Sequence, residues 1–111
     1  MPAKRASPHP HSLITEANFT HTVIELARYC GWHCAHFRPA LVRSGKWVTP
    51  VSGDKGSPDL LLARGGIVIL AELKSQKGRL GPGQAEWASE LGAHYRLWRP
   101  SDIEEIKREL K

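Results

Sequence analysis

Two acids and a lysine, Asp59, Glu72 and Lys74, stand at spacings that can bring them to one place. Two short apolar runs, residues 60–63 and 67–71, flank Gly65-Gly66, the pattern of a β-hairpin closed by a two-residue turn. With that turn, Arg64 opposes Ile67, Ala63 opposes Val68, Leu61 opposes Leu70, and Asp59 opposes Glu72. Cross-strand partners share a face with Cβ atoms roughly 5 Å apart, so the two carboxylates repel unless a cation lies between them. Side chains along a strand alternate with period two, which turns Lys74 to the face of Glu72. Such a cluster can hold a hard divalent cation and steer a water beside an amine. The same residues can also form a salt-bridge network without chemistry.

Other elements must bring partners to this end of the hairpin. The spacing predicts a helix from Thr15, its N-cap, to about Cys30, stopped by Gly31. Phe19, Val23, Leu26, Ala27 and Cys30 form its apolar stripe. Glu16 falls on that stripe and is expected to face inward, whereas Glu25 faces water. The carboxylate of Glu16 either leans toward Asp59 and Glu72 or only favours the helix N-terminus. Beyond Lys74 a polar loop ends in Gly81-Pro82-Gly83, and a second helix is expected over residues 84–91 with Gly92 past its end. Its face carries Trp87, Ala88, Leu91 and, as the odd polar member, Gln84.

The remaining segments complete the chain. Residues 1–12 hold three prolines and few apolar side chains and read as a disordered tail, leaving residues 13–111 as a single domain. Residues 32–38 read as a first strand closed by Pro39, followed by a long basic connection with a possible short strand over residues 47–51. Residues 94–99 read as another strand, and Ser101 with Glu104 forms a capping box for a last helix through about Leu110. The expected order is helix, strand, hairpin, helix, strand, helix.

Composition narrows the class. The chain has 111 residues, 41% of them hydrophobic, and a mean hydropathy of −0.38, which fits one globular domain. No apolar run approaches the roughly 20 residues of a membrane span, and the N-terminus has no signal-peptide core, so a cytoplasmic protein is expected. Sixteen Lys and Arg against eleven acids give a net charge of +5 and a pI of about 9.6. That excess suits a nucleic acid, although it also suits mere solubility. Cys30 and Cys34 are the only cysteines, and without a second pair of ligands they read as packed thiols rather than a zinc site.

Pro58-Asp59 followed by Glu72-Leu73-Lys74 resembles the PD-(D/E)xK nuclease superfamily. With Glu16, Gly31-Trp32, residues 56–59 and Gln84 after a Gly-Pro-Gly turn, the chain is similar to stand-alone, phage-type VRR-NUC domains from about Thr15 to Leu110. The resemblance implies a restriction-endonuclease-like α/β fold, with an αβββαβ core whose mixed sheet is flanked by helices. It implies an endonuclease that hydrolyses DNA with Mg²⁺ or Mn²⁺, acting on Holliday junctions or other branched DNA as a homodimer in a phage or bacterial host cytoplasm. Asp59, Glu72 and the carbonyl of Leu73 would hold the metal. Lys74 would act on the attacking water or offset phosphate charge. Glu16 would hold a second metal or its water shell, and Gln84 would brace Lys74 or a water on the metal. Arg38, Lys46, Lys55, Lys77 and Arg79 are the expected contacts to the DNA backbone. Trp32, Trp47, Trp87 and Trp98 are available to a dimer face or to the core. A nuclease for ordinary duplex DNA and a binding module without catalysis are the rival expectations.

Overall fold

A computed structural model describes residues 10–38, 40–48 and 52–111. In chain order its elements are α1 (Glu16–Tyr29), β1 (His33–His36), β2 (Ala40–Leu41), β3 (Trp47–Val48), β4 (Leu60–Arg64), β5 (Ile67–Leu73), α2 (Pro82–Leu91), β6 (Tyr95–Trp98) and α3 (Ile103–Leu110). The chain forms a small α/β domain built on a mixed four-stranded sheet, in the order β1-β4-β5-β6. β1, β4 and β5 run antiparallel to their neighbours, while β6 pairs parallel with β5 after the crossover through α2. None of the described helices is long and apolar enough to cross a membrane.

Local chemistry sets most boundaries. The Thr15 hydroxyl accepts a hydrogen bond from the Asn18 amide at 3.0 Å and starts α1, and Gly31 ends it with φ +87°. The Gly65-Gly66 turn fixes the hairpin register as expected, Arg64 with Ile67 through Leu61 with Leu70. β1 is shorter than the strand expected over residues 32–38, because Trp32 leaves the ladder. Its side chain is buried, and its indole N–H donates to the Leu110 carbonyl at 2.9 Å. α2 starts at Pro82, two residues before its expected start, since proline at the first helical position lacks an N–H that would go unbonded there. Gly92–His94 wind into a 3₁₀ turn, so β6 begins at Tyr95 rather than His94.

Two further expectations are corrected. The capping box at Ser101 and Glu104 does not form. Pro100–Asp102 make a 3₁₀ turn in which Asp102 accepts from the Arg99 amide at 2.8 Å, and Ser101 exchanges hydrogen bonds with Gln76 instead. Pro10–Leu13 also form a 3₁₀ turn, which overlaps the end of the stretch expected to be tail; residues 1–9 lie outside the described residues. The strand expected over residues 47–51 is Trp47–Val48, paired with Ala40–Leu41 in a separate hairpin, and residues 49–51 are again outside the described set.

Strand alternation divides the sheet. Leu60, Leu62, Ile69, Ala71, Leu73 and Trp98 turn to one side and are buried with Phe19, Val23 and Ala27 of α1 and Ile106 and Leu110 of α3. Arg64 fastens this layer. It stacks on Trp32 at 4.5 Å and donates to the carbonyls of Cys30, Leu110 and Lys111 at 2.7, 2.9 and 3.0 Å, joining the C-terminal ends of α1 and α3.

Candidate active site

Glu72 lies between two core residues, Ala71 and Leu73, and by alternation points to the opposite side of the sheet. It is 2% exposed, a costly position for a carboxylate. Two neighbours compensate in part. Gln84 of α2 donates to Glu72 Oε2 at 3.0 Å, and Lys74 Nζ lies 3.4 Å from the same oxygen. Gln84 is itself oriented, since its Oε1 accepts from the Gly81 amide at 2.8 Å. Asp59 sits just before β4 and accepts from the Leu73 amide through Oδ2 at 3.0 Å, which brings its carboxyl beside that of Glu72. The hairpin, its flanking lysine and α2 thus converge on one pair of acids.

Electrostatics marks the pair. Burial first, then the charge of Asp59, pushes Glu72 up to about 7 from an ordinary 4.5, against the opposing pull of Lys74. The folded chain therefore holds a proton on Glu72 that the unfolded chain has released. Metal-free stability is expected to be greatest below about pH 4.5 as regards this group, and to fall as pH rises to about 7. Urea titrations across that range check the sign, and stability rising through the window would contradict it. Tyr95, with its hydroxyl buried, is pushed up to about 12 by burial and by the charges of Glu72 and Asp59.

Two glycines position α2. A Cβ on Gly56 would lie 2.6 Å from the Gly83 carbonyl carbon and 2.7 Å from the Gln84 nitrogen, and one on Gly83 would lie 2.7 Å from the Lys55 carbonyl oxygen. Backbone meets backbone here. The loop before Asp59 is thereby seated on the start of α2, one residue from Gln84. Arg99 acts similarly on the loop after Lys74, donating to the carbonyls of Ser75 and Gly78 at 2.8 and 2.6 Å. That loop displays Lys77 and Arg79, both exposed.

Glu16 departs from expectation. As the first residue of α1 it is exposed rather than inward, although it borders an open cleft of about 540 Å³ with His36, Arg38 and Asp59. It shares a cleft with Asp59, and among the described residues no three His, Cys, Asp or Glu side chains gather as a metal site. Gln84 also differs in its target, bracing Glu72 rather than Lys74. His36, which the sequence alone does not place at this site, borders the same cleft. Burial holds its imidazole below the ordinary value, with Asp59 opposing and Arg38 assisting. The only signal for it was the pairing of His36 with Leu60, next to Asp59, across a connection whose length hides strand partners.

Asp59 and Glu72 suit a hard divalent cation. Mg²⁺ is commonly held by one or two carboxylates, with water and phosphate oxygens completing its shell. A pair of carboxylates, one of them nearly inaccessible and carrying a raised pKa, matches that donor set and gains from the added positive charge. Of the expected backbone contacts, Arg38, Lys46 and Lys55 are exposed like Lys77 and Arg79. Comparison with protein-family models, curated proteins and solved structures finds no match. Function is therefore inferred from these residues and their geometry.

Proposed function

We propose that the chain is a metal-dependent DNA endonuclease of the PD-(D/E)xK type, similar to VRR-NUC domains, with branched DNA as its substrate. The observation that carries this reading is the convergence of buried Glu72, Asp59 and Lys74 at the open end of one hairpin, with Gln84 fixing Glu72. The helix, strand, hairpin, helix, strand order of a restriction-endonuclease-like core agrees with it.

Bound between Asp59, Glu72 and the Leu73 carbonyl, Mg²⁺ or Mn²⁺ would supply Lewis-acid polarisation of the scissile phosphate. The chain's own groups perform the rest. Gln84 and the Leu73 amide fix one oxygen each of Glu72 and Asp59, so the acids keep their orientation as a substrate arrives. Lys74, its side chain 16% exposed, carries a cation to where phosphate charge develops, and its amine can hold or pass a proton of the attacking water. Arg38, Lys46, Lys55, Lys77 and Arg79 would bind backbone phosphates without reading sequence. A homodimer, which places two such centres on one junction, belongs to the same proposal.

The test is cleavage of labelled four-way junction, linear duplex and single strand in Mg²⁺ or Mn²⁺, by the parent, Asp59→Ala and Lys74→Ala. The parent is expected to cut the junction fastest, and both variants to lose at least about 100-fold. Equal rates on junction and duplex would remove the branched substrate. Variants as active as the parent would move the chemistry elsewhere.

A further inference from the structure

Among the described side chains, none of the β2–β3 hairpin belongs to the core. Its strands pair Ala40 with Val48 and Leu41 with Trp47, and among the described residues it packs broadly on no other element. A lone two-stranded hairpin is marginal in water, and this one displays Trp47 at 69% and Leu41 at 58% exposure, with Val42 and Val48 also exposed. Exposed aliphatic and aromatic side chains on so short a hairpin mark it as a candidate binding surface. Leu41 and Trp47 are directly opposed, so they present one common face.

Charge decides what that face fits. Between residues 38 and 48 the charged side chains are Arg38, Arg43 and Lys46, all exposed and all cationic. Two copies joined arm to arm would bring three cations against three. A polyanion with flat apolar faces meets both demands, and nucleic acid with unpaired bases is such a ligand. The arm also starts at the candidate site, where the Phe37 amide donates to the Asp59 carbonyl at 2.9 Å and Arg38 borders the cleft with Asp59.

We propose that the β2–β3 hairpin is a base-stacking arm. The Trp47 indole, with Leu41 beside it, takes the face of an unstacked base, while Arg38, Arg43 and Lys46 take neighbouring phosphates. DNA that offers open bases, at a branch or a single-stranded end, is thereby laid with its backbone along the cleft at Asp59. Fully paired duplex keeps its bases stacked and gives Trp47 nothing to bind. The placement of the backbone rests on the nuclease reading, whereas the stacking contact does not require cleavage.

The experiment measures binding in EDTA, where no cutting occurs, by fluorescence anisotropy of labelled single strand, splayed duplex and blunt duplex. Parent, Trp47→Ala and Trp47→Phe are compared. Trp47→Ala is expected to weaken single-strand and splayed binding by about 10-fold and blunt-duplex binding by less than about 2-fold, with Trp47→Phe retaining most of the affinity. Equal losses on all three ligands, or none on any, would overturn the arm. So would light scattering that shows a parent dimer and a Trp47→Ala monomer, since the face would then belong to a second copy. A parent that binds as expected but cuts nothing in Mg²⁺ would support the arm and defeat the nuclease reading alone.

Discussion

Glu72→Gln is expected to make the metal-free protein more stable at pH 8 and, in the same variant, to cripple the proposed cleavage. Burial and Asp59 raise Glu72 to about 7, so at pH 8 the fold carries a nearly inaccessible charge that glutamine removes. A tenfold change in an ionisation constant corresponds to about 1.4 kcal/mol, and the raised value already includes the opposing pull of Lys74, so the net gain is on the order of 3 kcal/mol. At pH 4 to 5 the native carboxyl is protonated, and the two proteins should be nearly equal in stability. Activity should fall about a thousandfold, because the neutral amide cannot offer the carboxylate charge on which metal chemistry depends. Urea unfolding at both pH values, with the junction assay, reads both halves. A purely structural ion pair with Lys74 predicts the reverse sign, a loss of stability at pH 8.

Gly56→Ala should cost roughly 3 kcal/mol or more. The residue has φ +97°, a region that L side chains rarely adopt, and the new Cβ would strike the backbone of Gly83 and Gln84 at 2.6 and 2.7 Å. Strain of about 1 kcal/mol or more adds to overpacking of about 1–3 kcal/mol, and neither neighbour can rotate away. Thermal unfolding should show a midpoint lowered by about 10 °C or more. Relief by parting the loop from α2 would carry Gln84 off Glu72, so surviving protein should cleave more slowly. A shift of under about 2 °C would mean that the contact is not tight in solution.

Several parts of this fold were legible because the information is local. The Gly65-Gly66 turn fixes which residues oppose which, and counting outward from it brings Asp59 to Glu72 with no knowledge of the rest of the chain. The Thr15 cap and Gly31 stop are equally local. What escaped depends on partners distant in sequence. Glu16 fits the helical stripe on paper, yet at the first position of α1 it is exposed, on the border of an open cleft. Ser101 and Glu104 match a capping box, but Asp102 reaches the Arg99 amide first and Gln76 claims Ser101. The approach of Gly56 to Gly83 joins two turns separated by the whole hairpin, and each glycine alone looks like ordinary loop punctuation.

The sheet's two sides differ in what secures them. One is closed by α1 and α3 over a continuous apolar core. The other bears α2, a helix with no fully buried residue, seated by a backbone contact at Gly56, one amide on Glu72, the Trp87 indole on the Asp54 carbonyl and packing on β6. The α2 side is thus the least costly to open, and the candidate chemistry lies on its seam. Gln84 reaches from that looser side to the acid pair, so on the proposed reading a cation held by Asp59 and Glu72 would be coupled to the seating of α2 through this one amide.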